Sequence, residues 1–498
     1  MKSHLTRNIS PYLVLLGLIL LLPISFFAFL VPLTPARMMR DSVALFADLP
    51  IWSAIAAAPL PIPQNTQTLG LLLIVMTALA FGVYGAAVVL SWGAKPTRGS
   101  RLVALIFTAV FWLIFFWALP NINTDIFNFI VRGRLAAVHQ SNPYYSAADE
   151  FPDDPLYPYA SKRFTHAPGS KLPAWMVINT ALAWVAGDDP TVNLLLYRGA
   201  LYLLSGANLL MIGVLLRKLY PQHLLSGILI YAWNPIVIIF SGSKVDTVMA
   251  FYLLIGAILL LAHRRILAMI PLALSALTKL LTLPLAAVTL LDQVRLRDWR
   301  RLILESLAFG ITAILIYLPY TRDTGIFAYM LDVGEFASAK TGESASTVGL
   351  PIPLDLILTV GLIIIVLVVG LRQDGSLPGL LRGWAIVMLY FSIFLVPISK
   401  SWYFITPITI VSLVRNRYLV ALTVVISSAS FLINYWQTSF SEVFPSPNLF
   451  RIPVYYIYVA TILLAGVAVA VGAFLARRDG RNPFRGRLDR LFADPKES

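Results

Sequence analysis

The chain has 498 residues, 58% of them hydrophobic and only 12% charged, with a formal net charge of +14. Soluble domains are nearer half apolar and a quarter charged, so the composition excludes a water-soluble globule and predicts an all-α protein that crosses a membrane many times. The absence of cysteine excludes disulfides, thiolate metal sites and cysteine nucleophiles, and the basic residues lie in short clusters between apolar runs, which fits orientation in a bilayer better than nucleic-acid binding.

A helix needs about 20 apolar residues to cross the hydrocarbon core. Spans are predicted at 12–32, 68–92, 102–120, 192–216, 223–240, 246–262, 266–278, 280–293, 300–319, 351–371, 382–398, 402–414, 418–436 and 453–476, short and re-entrant ones included. The first is too long for a signal-peptide core and no small-residue cleavage site follows, so it is read as a retained helix. With the N-terminus in the cytoplasm, strict alternation puts every inside loop on a basic cluster, from Lys95/Arg98/Arg101 through Arg217/Lys218 and Arg264/Arg265 to Arg295–Arg301, Arg372/Arg382 and Arg415/Arg417. The expected organisation is one transmembrane domain over 1–476 and a basic cytoplasmic tail over 477–498. Long outer loops are expected at 121–191 and 320–350, and the acidic residues collect on that outer side. Loops longer than about 15 residues usually have a job, which makes the extracytoplasmic face the expected working face. The apolar segment 171–187 is read as lying on or re-entering the membrane, with Trp175 and Trp184 at the interface, because counting it as a span would invert everything after it.

The first outer loop opens on a half-polar helix. At 100° per residue, Asp125, Asn128, Arg132 and His139 share one narrow stripe. The bland reading, an amphipathic helix with an ordinary first-turn acid favoured by the helix dipole, stands beside the functional one. Asn142-Pro143-Tyr144-Tyr145 then signals a turn. The acids Asp149, Glu150, Asp153 and Asp154 follow; they could hold a divalent cation, but such a run is more often a solvated loop.

Further along, Asp246 lies at the outer end of 223–240, where it serves either a reaction or the N-cap of the next helix. Lys279 interrupts the apolar stretch 266–293. A charge there is a functional hypothesis by default, with snorkelling to an interface as its rival. If the stretch is a hairpin, Lys279 sits at its outer tip.

Four stretches in this order resemble the GT-C glycosyltransferases, and most closely bacterial polyprenol-phosphomannose-dependent α-mannosyltransferases. They are Asp125 followed after six residues by Arg132-Gly133-Arg134 and then Asn142-Pro143-Tyr144; Trp233-Asn234-Pro235 running out to Lys244-Val245-Asp246; Ala276-Leu277-Thr278-Lys279-Leu280; and Ser401-Trp402-Tyr403 with Pro407. Two stretches depart from the pattern. His166-Ala167-Pro168-Gly169 stands where relatives often have Tyr-Gly-Pro or Tyr-Pro-Pro, and Lys244-Val245-Asp246 where His-Asn-Asp is common. The resemblance implies transfer of a sugar, mannose, from a polyprenyl-phosphate donor to a glycan or glycolipid acceptor at the outer face of the cell membrane. It implies Asp125 as general base and Asp246 as second acid. Lys279, Arg132 and Lys400 become donor-phosphate ligands, and Asn128, His139, Asn142, Tyr144, His166, Trp402 and Tyr403 substrate contacts. The chemistry agrees: a hydroxyl nucleophile needs a carboxylate to take its proton, and an anionic leaving group needs cationic donors. A monophosphate leaving group does not strictly require a metal, and no metal or cofactor is expected. The rival functions are a flippase for a lipid-linked sugar, against which no internal repeat is seen, and a polymerase or ligase using a diphosphate-linked donor.

Overall fold

The computed structural model describes residues 9–33, 45, 49–57, 66–92, 94, 96–119, 125–161, 164–169, 171–321, 354–396 and 400–439. Every regular element among them is a helix. In chain order they are α1 (Ser10–Ser25, continued by a π-turn over Phe26–Leu30), α2 (Pro50–Ala56), α3 (Thr66–Ser91), α4 (Arg98–Trp117), α5 (Asp125–Ala137), α6 (Pro173–Ala186) and α7 (Pro190–Leu219). There follow α8 (Leu224–Ala232), α9 (Pro235–Phe240), α10 (Asp246–Leu261), α11 (Arg265–Ala276), α12 (Leu283–Leu296) and α13 (Trp299–Tyr317). The last are α14 (Leu354–Leu371), α15 (Leu377–Phe394), α16 (Ile405–Ser412) and α17 (Arg417–Ser439). Seven helices among the described residues are long and apolar enough to cross a membrane, so the chain is an all-α, multi-pass membrane protein. The expected second outer loop, but for its first two residues, and the expected span at 453–476 with the tail lie outside the described residues.

The apolar surface confirms which solvent the bundle meets. On α1, Leu13 and Leu20 are buried while Leu15, Leu18 and Leu22 are exposed, and α13 turns Leu307, Ile311 and Leu315 outward. In lipid these exposed leucines are at home, and polar contacts fasten the helices instead. Trp233 donates from Nε1 to the carbonyl of Ala104 (3.0 Å), and Asn208 donates to the carbonyl of Thr247 (3.1 Å).

Three sequence expectations change in detail. The stretch 223–240 is two helices, because Pro235 cannot continue α8 and the Asn234 side chain accepts from the N–H of Ile236 (2.9 Å) to start α9. The stretch 402–414 is a 3-10 turn, Ser401–Phe404, followed by the eight-residue α16, which at about 1.5 Å per residue cannot cross alone. Trp175, expected at the interface, is fully buried against Phe129 (ring centroids 5.3 Å), whereas Trp184 is 75% exposed.

Helix α6 has 14 residues, a rise of about 21 Å, too short for a core about 30 Å thick. It packs between α5 and α7 and meets the end of α11, where the Ala174 N–H donates to the carbonyl of Leu277 (3.0 Å). Gly133 allows the close approach of α5: a Cβ there would lie 2.7 Å from the Asn179 carbonyl oxygen and 2.8 Å from the Tyr197 hydroxyl. One turn of loop anchors the arrangement. Arg134, 1% exposed, grips both oxygens of Asp154 (2.8 and 2.9 Å) and donates to the carbonyl of Gly187 (2.6 Å). The stretch after α5 is thereby folded back over that helix.

Candidate active site

Four chain breaks converge at one end of the bundle. They are the start of α5, the residue pair preceding α6, the turn between α9 and α10, and the turn between α11 and α12; the 3-10 turn before α16 closes the group. Each break supplies a charged or aromatic side chain, because helix ends are where a buried chain can present polar groups without breaking its own ladder.

Two matched sets stand side by side. Lys244 Nζ lies 2.7 Å from Asp125 Oδ2 and 3.8 Å from the centre of the Trp402 ring. Lys279 Nζ lies 3.0 Å from Asp246 Oδ1 and 3.3 Å from the centre of the Tyr403 ring. Trp402 and Tyr403 lie nearly parallel, 23° apart with centroids at 6.2 Å. Within each pair one partner is sealed and the other open. Lys244 is 2% and Asp246 1% exposed, against 29% for Asp125 and 15% for Lys279. The open members are therefore a carboxylate and an ammonium, one able to accept a proton and one able to face an anion.

The surroundings are cationic. Lys171, Lys400 and Arg132 also act on Asp125 electrostatically, and Lys171 lies close enough to Lys279 for the two charges to repel. Recession from water works to raise the Asp125 carboxyl, but Lys244, Lys171 and Lys400 outweigh it and hold the group below the usual carboxylate range. Burial and then Lys279 push the Lys171 ammonium down. Burial also pushes Lys244 down, to about 8, against the pull of Asp125. Arg132 spends its guanidinium on the carbonyls of Ala167 (3.3 Å) and Phe164 (3.5 Å), so it lends charge while tying down the loop. Lys171 has no ion-pair partner among the described residues.

Of the residues expected from sequence, the structure brings Asp125, Asp246, Lys279, Arg132, Lys400, Trp402 and Tyr403 together. Asp246 is the first residue of α10 rather than its N-cap, which is Val245. The others hold the loop. The Asn128 side chain accepts from the N–H of Ser161 (3.2 Å). Asn142 donates to the carbonyl of Tyr320 (2.8 Å), and Tyr144 meets the Tyr320 ring edge-on at 5.1 Å. His139 leaves the stripe expected for it, because α5 ends at Ala137; it stacks on Phe151 (4.2 Å) with Nε2 2.7 Å from Asp154 Oδ2. His166 is exposed on the loop. The same contacts occupy Asp154 with Arg134 and His139, which removes it from the acid run considered as a cation ligand set.

Lys171 and Lys244 were given no role by sequence. Both are cations in stretches that the sequence reading expects on the outer side, where the positive-inside rule leaves cations scarce, and that exception was the available signal.

The helical bundle thus gathers two acid–lysine pairs and further cations at one end. Residues 29–294 match the family described as alpha-(1->6)-mannopyranosyltransferase, N-terminal domain. The match covers more than half of the chain, which thus belongs to this family of mannosyltransferases and is a membrane glycosyltransferase. No curated protein and no solved structure matches it.

Proposed function

We propose that the chain transfers mannose from a polyprenyl-phosphate donor to a glycan or glycolipid acceptor at the extracytoplasmic face, in one inverting displacement. The carrying observation is the surplus of cations: Lys171, Lys244, Lys279, Lys400 and Arg132 surround two carboxylates. A sugar phosphodiester brings one negative charge, and its phosphomonoester product carries up to two. A site with unmatched lysines therefore favours the departing phosphate over the bound donor, which is differential stabilisation of the transition state. The opposite ends of α7, α10, α12 and α13 carry Arg217, Lys218, Arg264, Arg295 and Arg300, and that basic face supports the outward assignment of the site.

In the reaction, the acceptor hydroxyl oxygen attacks the anomeric carbon. The bond from that carbon to the phosphate oxygen breaks, its electron pair stays on the phosphate, and the hydroxyl proton passes to Asp125. Lys244 keeps Asp125 ionised and oriented. Lys279 and Lys171 face the phosphate, and Tyr403 backs Lys279 as Trp402 backs Lys244. Asp246 holds Lys279. The lysines supply the charge that a metal would otherwise supply, so transfer is expected to persist in excess chelator.

The test is transfer of radiolabelled mannose from a short-chain polyprenyl phosphate to a saccharide acceptor by purified protein in detergent. Transfer supports the reading. Activity only with a diphosphate-linked donor, or lipid translocation without transfer, would replace it.

A further inference from the structure

A cavity lies at the far end of the bundle. It has a volume of about 750 Å³ and opens between the α10–α11 turn, the end of α12, the start of α13 and the turn into α15. Asp246 begins α10 and the cavity touches its last residues, Leu260 and Leu261, so roughly 24 Å of helix separates this cavity from the candidate active site. A volume of this size is in the range of ligand sites.

The cavity has a neutral floor and a cationic rim. On the floor, Arg265 bridges Asp292 (3.2 Å) and Glu305 (3.0 Å), and Arg295 reaches Asp292 from the other side (2.9 Å). Two carboxylates thus meet two guanidinium groups. One acceptor is left over: Glu305 is fully buried, and its Oε2 has no hydrogen-bond partner. A buried orphan oxygen of this kind costs stability unless a donor reaches it. On the rim stand Arg264 and Arg301. Arg264 is exposed with no ion-pair partner among the described residues, and Arg301, itself exposed, pairs with the half-buried Asp298 (3.2 Å).

The third feature is the wall. Ile266, Leu267 and Leu296 line the cavity and are 40%, 48% and 51% exposed. They continue into the lipid-facing strip of α13, where Leu304 and Leu307 also point outward. A molecule in this cavity touches arginines at its polar end and hydrocarbon along its side. Basic pockets between helices at the membrane boundary suit the headgroups of acidic lipids.

We propose that this cavity binds an acidic glycerophospholipid of the phosphatidylglycerol class. Its phosphate pairs with Arg264 and Arg301, and an acyl chain runs along Leu267 and Leu296. A zwitterionic lipid would bring no net charge to the rim, and a soluble phosphate would leave the apolar wall unused.

The experiment uses the full-length protein in detergent, titrated with phosphatidylglycerol, phosphatidylethanolamine, phosphatidylcholine or inorganic phosphate, read by thermal shift and by lipid retained in native mass spectrometry. Phosphatidylglycerol is expected to bind at one saturable site and to raise Tm. The exposed-rim double variant Arg264→Ala/Arg301→Ala is expected to weaken it by at least about tenfold. Equal binding of the zwitterionic lipids, full competition by inorganic phosphate, or an unchanged double variant would each overturn the proposal. If a variant fails to fold, the lipid preference of the parent protein still decides.

Discussion

Lys244 and Asp125 come from positions 119 residues apart, and their charged atoms meet at 2.7 Å beneath the Trp402 ring. The lysine is sealed and the carboxylate partly open, so of the two only Asp125 is placed to touch a substrate. This contact sets the pH behaviour. Asp125 is held below the usual carboxylate range, so it is ionised throughout the neutral region and the acid limb of kcat/KM should lie low. Lys244→Met removes the cation that offsets burial. Burial then dominates, and the acid limb should move to higher pH. Lys244→Arg should leave it near the parent value. An acid limb unchanged by the Met substitution would mean that Lys244 does not tune Asp125.

An alkaline limb should accompany it. Lys244 is pushed down to about 8, so its charge is lost as pH rises through that value and Asp125 loses its fixed partner. The parent enzyme should lose activity there, and the Met variant, already without the charge, should show no such limb. A limb common to both would belong to another group.

Lys171 gives a prediction of opposite signs. Burial and Lys279 both disfavour its protonated form, so its charge costs stability in the empty protein. Lys171→Ala should raise Tm or leave it unchanged while weakening donor binding at least about tenfold, a trade of stability for function. Loss of both stability and binding would make it a structural residue.

Lys279 requires a compensated test. Removing it strands Asp246, 1% exposed, and breaking a buried pair costs about 3–5 kcal/mol. Lys279→Ala/Asp246→Asn should recover much of the stability lost by Lys279→Ala but not the donor affinity. Lys279→Arg should keep part of that affinity, since charge survives and geometry changes. Normal donor binding in the double variant would leave only an interfacial role for Lys279.

Seven of the fourteen expected spans are long apolar helices among the described residues, and they were legible because about 20 apolar residues and basic connecting loops leave a strong linear signal. The hairpin tip at Lys279 was legible for the same reason: a charge inside an apolar stretch needs an exit. The pairing was not. Nothing in the sequence joins Lys244 to Asp125 or Lys279 to Asp246, since these contacts depend on how five chain breaks meet in space. Helical periodicity carried His139 into the stripe of Asp125, but the helix ends two residues earlier, at Ala137, and beyond a helix end the 100° rule has no force. Arg134 read as one of a pair of similar arginines, yet it is the buried anchor of the loop while Arg132 turns toward the site.

The central claim is that Asp125 takes the acceptor proton, and Asp125→Asn tests it most directly. The amide keeps the size and can still accept from Lys244, so the fold should survive, but it cannot accept a proton at neutral pH. General-base assistance is worth roughly 10²–10⁴-fold, so turnover should fall at least about 100-fold. Donor affinity, measured on the same preparation, should change far less, because the loss lies in the transition state. Turnover within about threefold of the parent, far short of that range, would contradict the account and leave Asp246 as the acid to test next.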